Sequence, residues 1–362
     1  MQSVDGEIDD ARVDDATTDA SADVVLLGVG RASPREVTAL AKALALPIEL
    51  VVDAVYRAPA RLLANVPAAD ATRLVEIVRS LGLDAMTTRA GRVPTRGPVF
   101  DIAGDLLDAA QADVTASALG TFLGVTPAAA LDALLTPPGI LLGNVSATTR
   151  DALERVLPRG AVALTAAEPN SSGYALFAAG LTPLQQGAVR SHLPEGTVIA
   201  RDGSVTLFDL SRERADAIWR RLKAPEQVRI VNQAFLRFTI LLAAVPENAE
   251  RGAEALEVLA SVPRDDYAML ATVLPVPVEV RVPFVEVSTR LAAYADAGFG
   301  ARAELETFAT VALDVHAATA DALASAGLAG IPPFRTVPMP EPRARLMRAR
   351  LEAAGADVVE AL

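Results

Sequence analysis

Few residues in this chain could do chemistry. It has two histidines, His192 and His316, one tryptophan, Trp219, and no cysteine. The histidines are far apart and have no carboxylate at a ligand spacing, so the sequence spells neither a metal pair nor a nucleophile–base dyad. Without cysteine there is no disulfide, thiolate nucleophile or cysteine metal site, a composition that suits a reducing compartment. Asp265-Asp266 is a pair of adjacent carboxylates, but acidic side chains favour helix N-termini and this pair reads as a helix start or solvated turn. No nucleophile elbow, phosphate loop, zinc-protease motif or kinase set occurs. The one enzyme lookalike is Val24 to Ser33, VVLLGVGRAS. It is an apolar run into Gly-x-Gly, with Glu49 and Asp53 about where a dinucleotide site places its ribose acid. Ser33 stands at the third glycine and Ile48 to Ala54 reads as helix, so the reading adopted is a structural turn. No catalytic, cofactor-binding or metal-binding residue is assigned, no cofactor is expected, and the chain is read as not an enzyme.

Arg212, Arg214, Arg220 and Arg221 flank Trp219 on one helical stretch. Arginine and tryptophan are the side chains most often found at binding hot spots, which makes these five residues a candidate protein-contact surface. The reading favoured over it is that Trp219 anchors the core of its own module, with the arginines facing water.

The elements that must position these residues come from a repeat. Leu46 to Val66 reads LPIELVVDAVYRAPARLLANV and Val125 to Val145 reads VTPAAALDALLTPPGILLGNV. Without a gap, Asp53 meets Asp132, Pro59 meets Pro138, and Asn65-Val66 meets Asn144-Val145. Self-similarity of this kind marks copied modules. In the first module a strand at Val24 to Leu27 leads through a glycine turn, Gly28 to Gly30, into a helix from Pro34 to about Leu46. Ser33 is placed to cap that helix, with Pro34 at its first position. A second helix runs to about Tyr56, Ala58-Pro59 breaks the chain, a third helix spans Ala69 to Leu81, and Ala85 to Thr88 closes as a strand. Thr126 is the expected cap of the matching helix in module two.

The expected organisation is a disordered acidic tail at 1–22 and five modules at 23–90, 98–167, 173–235, 236–306 and 307–362. Linkers lie at Arg89 to Pro98 and Glu168 to Gly173. Module three should hold a strand at Tyr174 to Ala178, a hairpin-like pair around Asp202-Gly203 and a helix from Ser211 to Leu222. Module four should hold strands at Phe238 to Ala243, Val278 to Val282 and Arg302 to Glu306. Arg229 to Ala244 and Ala301 to Leu313 are nearly continuous strand-like stretches, so strands shared between neighbouring units are expected there. The fold class is α+β, a tandem array of about five small two-layer sandwiches, the later ones ferredoxin-like in outline.

The chain of 362 residues carries a net charge of −12, which argues against a phosphate-binding surface. Only Lys42 and Lys223 are lysines, so nearly all its positive charge is arginine. The acidic first residues lack the basic start and apolar core of a secretory signal, and apolar runs such as Phe238 to Val245 are too short to span a bilayer. A cytoplasmic protein without membrane insertion is expected.

Asp23 to Gly30, the LPIELVVDAV helix, Ala58-Pro59-Ala60, Leu63 to Val66 and Ala71 to Gly82 together resemble the C-terminal domain of the bacterial ribosomal stalk protein. That protein is acidic and multi-copy, and its domain has a fold like that of the Clp-protease adaptor. LEAAGADVV, Leu351 to Val359, is similar to the closing helix, glycine stop and strand of that family. The resemblance implies a recruiter of translation GTPases, but where the family has basic contact residues this chain has Ser33, Thr38, Glu49 and Val52. Loss of those charges points to a different partner. The expected function is a non-enzymatic scaffold or adaptor in bacteria, binding other proteins or assembling with itself. Nucleic acid enters only through a ribosome association. A stalk-like ribosomal factor and an enzyme with an inter-module site are the alternatives.

Overall fold

The structure is a computed structural model that describes residues 21–92, 94–195, 197–222 and 226–361. The expected tail lies outside the described residues except for Ser21 and Ala22, which open a strand. The fold is α+β, with five small antiparallel sheets, each drawn from one contiguous stretch of chain. The chain divides between Arg96 and Gly97 into two compact units. That boundary falls in the first expected linker.

The first unit contains β1 (Ser21–Gly28), α1 (Pro34–Ala43), α2 (Ile48–Tyr56), β2 (Ala60–Pro67), α3 (Ala68–Ser80) and β3 (Asp84–Arg89). The strand order is β2-β1-β3, antiparallel throughout. Ser33 and Glu36 form the reciprocal capping box that starts α1, and Val37, Leu40 and Ala41 bury one face of it. Ile48 to Ala54 is helical, as expected. β2 is an addition to the expected elements. Its run ARLLANVP has no clean alternation because bulges interrupt its pairing with β1.

The second unit holds four more modules. Module two is β4 (Val99–Leu106), α4 (Ala112–Leu123), α5 (Pro127–Leu135), β5 (Ile140–Ser146), α6 (Ala147–Val156) and β6 (Val162–Ala167). Thr126 caps α5 by accepting from the Ala129 N–H. Module three is β7 (Tyr174–Ala178), α7 (Pro183–Val189), β8 (Val205–Leu210), α8 (Arg212–Leu222) and β9 (Val228–Asn232). Module four is β10 (Arg237–Ala244), α9 (Ala249–Ala260), α10 (Tyr267–Leu270), β11 (Val276–Pro283), α11 (Phe284–Asp296) and β12 (Gly300–Leu305). Module five is β13 (Thr310–Ala317), α12 (Ala320–Ser325), β14 (Phe334–Arg335), β15 (Met339–Pro340), α13 (Glu341–Ala353) and β16 (Asp357–Ala361). Each sheet has its first strand in the centre.

One register defect recurs. Opposite Ala22–Val24, Phe100–Ile102, Tyr174–Leu176 and Phe238–Ile240, the second strand inserts one extra residue. The residue beside each insertion, Asn65, Asn144, Asp209 or Arg281, has a left-handed φ between 54° and 61°. A bulge of this kind bends the strand, and Asn or Asp tolerates its backbone better than most side chains.

Several expectations are corrected here. Asp202-Gly203 is a tight turn closed by the Ala200 and Ser204 backbones, not a hairpin, and β8 pairs with β7. Among the described residues no strand is shared between neighbouring modules. The turn Gln233–Phe235 divides β9 from β10, and residues 306–309 divide β12 from β13. Modules three and four have three-stranded sheets, unlike the four strands of a ferredoxin-like outline. The linker at 168–173 is not a free joint, because Ala103 and Ala167 share one core with Ala175, Val231, Phe235 and Phe238.

Modules three and four are joined by ring packing. Phe208 stacks on Phe284 at 5.6 Å, and Phe177 meets Phe308 edge-on at 5.3 Å. With Phe238, these are five of the ten phenylalanines in the chain, spent on one junction. The array is also not a simple end-to-end row, because α13 of module five returns to module two. There Arg343 pairs with Asp132, Arg345 with Asp105 and Arg350 with Asp113.

Candidate functional site

Two concave regions of the second unit bring chemistry-bearing residues of different modules together. The smaller is a polar joint where modules two, four and five meet. Asp105 is paired with Arg281 and, at 3.2 Å, with Arg345. Arg345 also approaches Glu341 at 3.5 Å. Arg237 donates to Thr165 Oγ1 at 2.7 Å and to the carbonyls of Ala234 and Leu236. Glu306 Oε2 accepts from the backbone N–H of Arg281 at 2.7 Å and from the Thr239 hydroxyl at 2.8 Å. Burial raises both carboxyls, and Glu341 reaches about 7 because the charges of Glu306 and Glu360 add to it. The cavity among these groups has a volume of only about 50 Å³. That is room for a water or two, far below the 300–1,000 Å³ of metabolite sites. The joint therefore holds modules together.

The larger region is a cleft of about 480 Å³ beside α8. The expected contact residues meet here only in part. Trp219 is 41% exposed and lines the cleft wall, so it is not the core anchor of module three. Ile218, the preceding residue, and Ala215, one turn earlier, fill that role. Arg212 is committed within the module. Its guanidinium bonds Asp216 at 3.1 Å and the Tyr174 hydroxyl at 2.9 Å, and lies over the Tyr174 ring. Arg214, Arg220 and Arg221 are exposed on the outer side of α8. Arg229, unforeseen in the sequence, completes the cleft by lying over the Phe308 ring at 4.7 Å. Only the aromatic residues near it could have pointed to Arg229, and they are distant in the chain.

The remaining candidates do not converge. His192 is half-buried at the end of α7 and His316 is exposed on β13. Asp265 and Asp266 sit exposed ahead of α10, the helix-start placement. Among the described residues no group of His, Asp and Glu is placed to hold a metal. The dinucleotide lookalike fails on geometry. Its sheet is antiparallel, and its glycine turn is filled by the chain itself, since the Arg31 N–H bonds Gly82 O at 2.8 Å. Gly30, at φ +58°, packs so closely on that carbonyl that a Cβ would lie 2.2 Å from it.

Among the described residues no single helix is long and apolar enough to cross a membrane. The apolar pair α4 and α5 buries Leu119, Phe122, Leu134 and Leu135 inside module two. Compared with protein families, curated proteins and solved structures, the chain gives no significant match.

Proposed function

We propose that this chain is a non-enzymatic protein-interaction scaffold, built from five descendants of a stalk-domain-like unit and working in the cytoplasm. The observation that carries the reading is the Trp219 cleft. It is an exposed aromatic wall beside Arg229, which has no ion pair among the described residues, held on modules that are locked to one another by ring packing and ion pairs. Rigid modules lower the ordering cost of binding a partner, and several modules on one chain give multivalent contact. The recurring strand order and bulge support descent from one unit, and the order β2-β1-β3 is compatible with the stalk-like resemblance of the first. The test is capture of partners by the full chain in the native cell, followed by mass measurement of the purified complex. A specific heteromeric or self-assembled complex is expected. A monomer without partners would end this reading, and co-sedimentation with ribosomes in moderate salt would replace it by a stalk-like ribosomal factor.

A further inference from the structure

The cleft beside α8 has a floor as well as a wall. All five residues of β9 line it, and β9 is an outer strand of its sheet. The bonds from Gln233 N–H to Gly173 O and from Ala179 N–H to Gln227 O set the alternation of the ladder. Arg229 and Val231 therefore turn their backbone groups toward β7, while Val228, Ile230 and Asn232 turn theirs outward. Val228 and Asn232 are buried, and Ile230, half-buried, is the point where an outside strand can pair. At ~3.3 Å per residue the floor is about 16 Å long, the span of about five extended residues.

Charge says what kind of strand. In the cleft lining Arg212 is paired with Asp216 and Asp101 accepts from the Asn144 N–H, so Arg229 is the lining charge left for a partner. Among the described residues, Arg214 and Arg221 on α8 and Arg229 in the cleft have no ion pair. The Arg229 guanidinium lies over the Phe308 ring, a contact that uses none of its N–H donors and leaves them for a carboxylate. Trp219 stacks on no other ring among the described residues, so its exposed face is available to an apolar or aromatic side chain.

We infer that the cleft binds an acidic, extended segment of another protein. The segment pairs its backbone with Ile230, lays an apolar or aromatic side chain on Trp219 and brings a carboxylate to Arg229. This inference rests on the scaffold reading and names the site and partner chemistry for it. A single-stranded nucleic acid would also use tryptophan and arginine. A nucleic acid has no peptide N–H and C=O groups to pair with the outward edge at Ile230, and that edge decides for a peptide.

The test uses the full chain and a labelled octapeptide alternating Glu with Phe and Val, followed by anisotropy and by tryptophan emission. Trp219 is the only tryptophan, so emission reports this cleft alone. Binding with a shift in emission is expected, weakened at least tenfold by Arg229→Glu and several-fold by N-methylation of the central peptide bond. The same peptide with Lys for Glu should not bind. Arg214→Glu, on the outer side of α8 and outside the cleft lining, is expected to weaken binding less than Arg229→Glu does, with circular dichroism as the fold control. Unchanged emission, indifference to both reversals, or tighter competitive binding of an eight-nucleotide oligouridine would overturn the inference. If the peptide fails while the wild-type chain and its Trp219→Ala form capture the same cellular partners, the cleft assignment falls and the scaffold reading stands.

Discussion

The backbone N–H of Asn65 donates to Oδ1 of Asp23 at 2.9 Å, and Asn144 makes the same 2.9 Å bond to Asp101. In both modules the central strand thus clamps the bulge of its neighbour. The Asn65 bond, with help from the Gly91 N–H and Arg61, holds the Asp23 carboxyl below its ordinary range. Module four keeps the clamp with different residues. Thr239 stands at the position of Asp23, and the carboxylate comes from Glu306, which accepts from the Arg281 N–H. A carboxylate reaching the N–H of a left-handed residue is thus common to modules one, two and four, with different residues supplying it in the last.

Asn65 should accept glycine and resist a branched side chain. The left-handed backbone costs about 1–2 kcal/mol for an ordinary residue, and more for a β-branched one. Asn65→Gly is expected to stay within about 0.5 kcal/mol of wild type, and Asn65→Val to lose about 2 kcal/mol, as read by urea denaturation. Equal losses in the two would show that the bulge does not govern this position.

The repeat was legible because Asp53 and Asp132, Pro59 and Pro138, and Asn65 and Asn144 kept their identities. Helix starts at Ser33 and Thr126 were legible from local capping chemistry. β2 was not, because its bulges break the alternation that announces a strand. The return of α13 to module two was hidden for another reason. Nothing local marks Arg343, Arg345 and Arg350 as partners of Asp132, Asp105 and Asp113, more than two hundred residues earlier. Trp219 was legible as a candidate, but its exposure depended on Ala215 and Ile218 taking the core positions, which helical periodicity alone does not decide.

Asp105 is the hinge pin of the polar joint, since it faces Arg281 of module four and Arg345 of module five at once. Each of the three side chains is about four-fifths buried. Removing the shared carboxylate leaves two arginines without their partner in a poorly solvated place. Breaking a buried pair costs about 3–5 kcal/mol, and partial solvation reduces it here to about 2 kcal/mol. Asp105→Asn should therefore lower stability by about that amount and speed hydrogen exchange across 341–353. Unchanged exchange there would mean that α13 is held by other contacts.

Phe177 touches both Phe208 and Phe308. Truncating it opens a cavity where modules three and four meet, with an expected loss of about 3 kcal/mol for Phe177→Ala and less than half that for Phe177→Leu. Calorimetry adds a second readout. If the junction couples the modules, Phe177→Ala splits or broadens the transition of the second unit, whereas a purely local defect shifts it without broadening.

Glu341 makes the joint sensitive to pH, and the direction follows from the shift. Burial, aided by the charges of Glu306 and Glu360, raises its carboxyl from 4.5 to about 7, while Arg348 opposes this and Arg345 lies 3.5 Å away. The folded chain therefore holds the Glu341 proton more tightly than the unfolded chain does. Stability from this group is fully present below about pH 4.5 and is lost progressively as pH rises to about 7, beyond which the loss is constant. At about 1.4 kcal/mol per unit the ceiling is about 3 kcal/mol, and residual solvation keeps the observed value below it. Glu341→Gln keeps the shape and removes the titration. It is expected to raise the thermal midpoint at pH 8 and to leave it nearly unchanged at pH 5. An equal shift at both pH values would place the effect in packing instead of ionisation, and a lower midpoint at pH 8 would show that the Arg345 pair outweighs burial.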